Sequence, residues 1–260
     1  MSRPIALVFT ILYCVCAAMP IAAQTEAPEG MVQIPAGKFW MGRNHAVDND
    51  ADDNMPRAWR DDRPANHIDL DAFYLDKYEI TNVEYARFVE ATGGKGGKVP
   101  WHWLHGKVPA GDEKQAVSNV TWFEADAYCK WAGKRLPTEA EWEKAARGGL
   151  DRKIYSWGDA EGVELAVSRN KAAAVGSYPP NGYGLHDIIG NVIEWNSDWY
   201  DRGYYVFMPK KNPQGPETGL YKSVRGGGWV EGRGAKLANY YRNFSDPELR
   251  SSTIGFRCAK

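Results

Sequence analysis

The stretch Arg135-Leu136-Pro137-Thr138-Glu139-Ala140-Glu141-Trp142-Glu143, with Ala146-Arg147-Gly148-Gly149 behind it, decides how the centre of the chain folds. Thr138 and Glu141 form a capping box directly after Pro137, so the orphan amides of a first helical turn find acceptors there; the paired glycines predict the stop. The same device occurs twice upstream. Thr81-Asn82-Val83-Glu84 predicts a helix to about Ala91, ended by Gly93-Gly94. Thr121-Trp122-Phe123-Glu124 opens another, whose Ala125, Tyr128, Cys129 and Ala132 share a face before Gly133. Outside these helices the pattern is short strands and turns. Met31 to Gly37 and Phe39-Trp40-Met41 are expected to form a hairpin, and Phe73-Tyr74-Leu75 and Lys77 to Ile80 to alternate around a turn. Asp48 to Asp62 reads as a polar surface loop; Asp48, Asp50, Asp52 and Asp53 lack the later glycine and glutamate of a calcium loop.

With 27 glycines, 15 prolines and 11 tryptophans, the chain is expected to be loop-rich and packed around aromatic side chains. No composition break follows residue 28, which predicts one domain over residues 29–260. Met1-Ser2-Arg3, the apolar run from Ile5 to Ala18 and the small residues to Ala23 have the layout of a secretory signal over residues 1–23. That run is about 14 residues against the ~20 a transmembrane helix needs, so no membrane span is expected once the signal is removed. The protein is therefore expected to be exported, periplasmic or secreted, and to lose Cys14 and Cys16. Cys129 and Cys258 remain, an even pair in an oxidising compartment, and are expected to form a structural bridge. Net charge is -1, with 32 basic residues interspersed among 33 acidic ones, which argues against nucleic acid as a partner.

Several motifs then carry a family resemblance. Met31-Val32-Gln33-Ile34-Pro35-Ala36-Gly37, Tyr78-Glu79-Ile80-Thr81-Asn82, the central Ala132 to Glu143 stretch, Pro179-Pro180-Asn181-Gly182-Tyr183-Gly184-Leu185, Gly190-Asn191-Val192-Ile193-Glu194-Trp195, Arg225-Gly226-Gly227-Gly228-Trp229 and Gly255-Phe256-Arg257-Cys258 occur in order. In this the chain resembles the formylglycine-generating enzymes of the sulfatase-modifying-factor family. The resemblance implies an irregular, loop-rich α+β fold related to C-type lectin domains, and it matches Cys129 and Cys258 to the family's structural disulfide.

The resemblance also sets expectations for chemistry. Formylglycine-generating enzymes place two cysteines shortly after the Arg-Gly-Gly motif, where thiolates hold copper(I) and help oxidise a substrate cysteine. Residues Trp229 to Arg242 contain no cysteine, so copper is not expected. A structural calcium ion is implied at positions matching Asp187, Gly190, Val192 and Glu194, a set of oxygen ligands suited to a hard cation. A second calcium site keeps only Asn170. His102 and His105 lack an identifiable third ligand for zinc. Asn119-Val120-Thr121 and Asn243-Phe244-Ser245 are glycosylation sequons only in a eukaryotic route.

Two function classes follow. One is an accessory or recognition protein whose groove, drawn from Trp229, Arg233, Tyr240, Tyr241 and Arg242, binds a peptide or small-molecule ligand. The other is a periplasmic oxidoreductase resembling those of pyoverdine maturation, with Glu231 as candidate catalytic base. Formylglycine generation on sulfatases is a third reading, and the missing thiols stand against it.

Overall fold

The computed structural model describes residues 27–43, 61–160, 171–231 and 234–260. The expected signal segment, Asp48 to Asp53, Asn170 and Arg233 lie outside the described residues. All three capping boxes open helices: α1 (Asn82–Thr92), α2 (Trp122–Trp131) and α3 (Glu139–Arg147), each with reciprocal bonds between the Thr and the Glu three residues on. Each cap contributes about 1 kcal/mol. Gly93 and Gly148 end α1 and α3 in the left-handed conformation, at φ 57° and 58°.

The strands differ from expectation. Strand β1 (Met31–Ile34) pairs antiparallel with β4 (Phe73–Asp76), while β2 (Gly37–Met41) pairs with β3 (Asn66–Leu70). Residues 31–41 are thus two consecutive strands in two different ladders, not a hairpin, and Lys77 to Ile80 is not a strand. A four-stranded sheet holds the C-terminal half in the order β7 (Asn243–Ser245), β6 (Lys222–Arg225), β5 (Ile193–Trp199), β8 (Ile254–Gly255), with β8 parallel to β5. A short helix α4 (Tyr204–Phe207) lies between β5 and β6.

Two apolar clusters carry the packing. One joins Ile34, Ile68, Leu75, Trp142, Leu185 and Tyr205; the other joins Tyr85, Phe88, Tyr128, Trp195 and Phe256 around the bond between Cys129 and Cys258. That disulfide ties α2 to the C-terminal strand region across 129 residues of chain.

Helix α3 gives Ala140, Trp142, Ala145 and Ala146 to the first cluster, and every one of its residues is buried, charged ones included. Its acids are met by arginines from distant segments. Glu139 takes Arg225 Nη1 and Arg242 Nε, each at 2.7 Å. Glu143 takes Arg225 Nη2 at 2.7 Å, Arg147 Nη2 at 2.7 Å and the Gly42 amide at 2.8 Å. Burial alone would raise the Glu139 pKa, but the Arg242 and Arg225 charges overcome it and hold the carboxyl at about 2. The Pro179 to Leu185 motif closes the C-terminal end of α3. Asn181 Nδ2 donates to Ala145 O at 2.7 Å and to Ala146 O at 3.2 Å, capping carbonyls of the last turn. A side chain at Gly182 would lie 2.2 Å from Gly148 O, so this approach of two backbones requires glycine.

Candidate functional site

The segment after β6 begins inside the protein and surfaces within four residues. Arg225 is fully buried on α3; at Gly227, φ 67°, a side chain would lie 2.8 Å from both Leu237 Cδ2 and Lys236 O. The chain emerges at Trp229, whose amide donates to Asn191 O at 2.7 Å and whose indole Nε1 donates to Ser252 O at 3.2 Å. Val230 is exposed, and Glu231 turns back, its amide donating to Gly228 O at 2.8 Å. The Glu231 carboxylate meets Lys236 Nζ at 3.0 Å.

Ser251 and Ser252 extend this face toward the start of α2. Ser251 O accepts the Asn119 amide at 2.8 Å, and Arg250 Nη1 donates to Asn119 O at 2.9 Å. Asn119, in the left-handed region at φ 60°, accepts Trp101 Nε1 on its Oδ1 at 3.0 Å, and its Nδ2 lies 3.0 Å from His102 Nδ1. Trp101 is held at its nitrogen while the ring remains 72 % exposed. Hydrogen bonds thus link Trp229 to Ser252, and the neighbouring Ser251 to Asn119 and through it to Trp101, so each of the two indoles is held at its nitrogen. The sequence singled out Trp229 but missed Trp101 and Arg250; clustering of Trp101, His102 and Trp103 was the available signal.

The other expected groove residues are placed differently. Arg242 is buried, its guanidinium on Glu139 and 4.2 Å from the Tyr205 ring centroid. Tyr240 is also buried, beneath Arg43 at 4.7 Å. Arg242 thus serves the buried network around α3, and Tyr240 packs under Arg43. Tyr241 is half-buried. Asn119 is buried too, which closes its amide to glycosylation.

The expected calcium ligands fall in a second, wholly buried cluster. Glu194 holds Arg257, with Nε 2.9 Å from both carboxylate oxygens and Nη2 2.8 Å from Oε1, and Trp142 Nε1 donates to it at 2.8 Å. Asp187 accepts the amides of Gly176 and Tyr178. Glu79, which the sequence did not single out, accepts Asn191 Nδ2 at 2.7 Å and the Val192 amide at 3.2 Å. Burial, with the Asp187 charge nearby, pushes Glu79 well above the ordinary carboxylate range. Asp187 and Glu194 are also raised by burial, against the pull of Arg257. The cation that answers Glu194 is thus a guanidinium. Asp187, Gly190, Val192 and Glu194 do not fit a calcium ion in this arrangement, because Glu194 has already committed both oxygens. Nor do His102 and His105 find a third ligand: among the described residues no group of three His, Cys, Asp or Glu could hold a metal.

Among the described residues no helix is long and apolar enough to cross a membrane. Comparison with known proteins converges on one family. Residues 17–260 match the sulfatase-modifying factor enzyme 1-like domain. The formylglycine-generating enzyme of Streptomyces coelicolor is 33% identical over 92% of this chain and 91% of its own length. That of Mus musculus is 34% identical over 88% of this chain and 74% of its own. Among solved structures, PvdO from Pseudomonas aeruginosa superposes with a TM-score of 0.73 at 28% identity, over 88% of this chain and 93% of that one. With the motif order, the α+β architecture and these matches in agreement, the chain belongs to the sulfatase-modifying factor enzyme 1-like family.

Proposed function

We propose that this protein is an exported recognition member of its family, binding a peptide or small ligand on the face between Trp101 and Trp229, without thiolate-based copper oxidation. The observation that carries the reading is the ion pair of Glu231 and Lys236, 3.0 Å apart, in the segment where formylglycine-generating relatives are expected to place their thiolates. A carboxylate and an ammonium are hard groups and cannot stand in for the soft sulfur ligands that copper(I) prefers. The chain's four cysteines offer no substitute, since Cys129 and Cys258 are bonded to each other and Cys14 and Cys16 lie in the signal-like segment. Export is supported by that segment and by the disulfide.

The test is binding of a panel of peptides and glycans to the full chain and to Trp101→Ala. Trp101 is exposed, so the variant leaves the core intact. Weakened binding of a captured ligand supports the site; equal affinity for every ligand found removes it.

A second reading is favoured by the likeness to PvdO: an oxidoreductase of the pyoverdine-maturation type, with Glu231 as base. Full retention of a detected oxidation in Glu231→Gln would exclude Glu231 from that chemistry.

A further inference from the structure

On a different set of elements, β2, β3 and the C-terminal end of α3 line an open cavity of about 320 Å³. Its wall carries Trp40, stacked on His67 at 4.9 Å between ring centroids, together with Phe39 and Tyr183. Lys38, Lys144 and Arg147 bring positive charge to the same space.

Those charges are not equally answered. Arg147 is neutralised by Glu143 at 2.7 Å. Asp151 at the rim pairs with Arg152 at 3.5 Å, and Arg152 in turn lies 4.9 Å over the Trp40 ring. Lys144 is different. Only 5 % of it is exposed, its ammonium donates to Gly37 O at 2.8 Å, and it makes no ion pair among the described residues. Burial lowers its pKa, partly offset by the charge of Asp69. Asp69 is also the cross-strand partner of Lys38, so that carboxylate stands near two ammonium groups, and Asp151 at the rim is already paired with Arg152. An ammonium with one carbonyl partner keeps two donors for a further acceptor.

We propose that this cavity is an oxyanion site, which takes a phosphate- or sulfate-type group on Lys144 and Lys38 with its ester portion, where there is one, against Trp40 and Tyr183. Charge-assisted hydrogen bonds from ammonium to oxyanion are the strong kind, and the pocket brings aromatic rings and ammonium groups to one space. The site shares no residue with the Trp101–Trp229 face and stands whether or not that face binds ligand.

The experiment is calorimetric titration of the full chain with inorganic phosphate, sulfate and phenyl phosphate, with chloride at matched ionic strength as the blank. Saturable one-site binding is expected, weakened about tenfold in Lys144→Gln and a few-fold in Lys38→Gln. Lys38 is exposed at the rim, so its variant reads the site even if Lys144→Gln folds poorly. Tighter binding of phenyl phosphate than of phosphate identifies an esterified ligand; equal binding identifies the free ion. No saturable binding of any of the three, or binding unchanged in the folded variants, overturns the proposal.

Discussion

Lys236 Nζ lies 3.0 Å from Glu231 Oε2, five residues apart on the segment that surfaces after Arg225-Gly226-Gly227. The lysine is half exposed and the glutamate largely covered, so water screens much of the attraction. Glu231→Gln is therefore expected to change stability by less than about 1 kcal/mol in urea denaturation. A loss several times larger would mean that the pair is a structural strut and not a surface feature.

The pairing of Arg225 with Glu143 is of another kind, because both side chains are wholly buried at 2.7 Å. Removing Arg225 takes one of two guanidinium partners from each of Glu143 and Glu139, leaving them Arg147 and Arg242. Arg225→Met is expected to cost about 3–5 kcal/mol, seen as a lowered urea midpoint. A loss under about 1 kcal/mol would show that the Glu139–Glu143 side of α3 can find other partners.

Cutting the Cys129–Cys258 bond releases a loop closed across 129 residues. By the chain-entropy argument, reduction or a Cys129→Ala/Cys258→Ala pair is expected to cost up to about 5 kcal/mol. Denaturation with and without reductant measures it, and coincident curves would contradict the structural role.

Stability should respond to pH in two opposed windows. Asp198 is buried and its pKa is raised to about 7, by lost solvation first and then by the Glu139 charge. The folded protein thus binds a proton there that the unfolded chain releases near pH 4, so stability falls as pH rises from about 4 to 7. Glu139, held at about 2, acts oppositely: its contribution is present above the ordinary carboxylate range and is lost as pH falls toward 2. Asp198→Asn is expected to lessen the slope of the upper window, to which the raised Glu79, Asp187 and Glu194 also contribute, and to leave the lower one intact, read from urea midpoints across pH 3–8. An unchanged upper slope would remove Asp198 as its source.

Local chemistry explains what was legible in the sequence. The boxes at Thr81, Thr121 and Thr138 are complete within four residues, so each helix start could be read without knowing the rest of the fold. Met31 to Met41 could not be read in that way: the partners of these strands are Phe73–Asp76 and Asn66–Leu70, and alternation alone does not say which ladder a strand joins. The site shows the same division. Trp229 and Arg242 read alike as groove residues from their places after the glycines, because the partner of Arg242, Glu139, lies 103 positions away. Burial, which separates a ligand contact from an internal counter-ion, is a property of the assembled fold. The same holds for Glu194, whose match to a calcium ligand carries no trace of Arg257 closing over it.

The central claim is that a protein with Glu231 and Lys236 in this segment recognises its ligand and does not oxidise a cysteine. The direct measurement is the mass of a Cys-x-Pro-x-Arg peptide after incubation with the purified chain, copper and oxygen. An unchanged peptide mass is predicted, and appearance of the aldehyde would contradict the account.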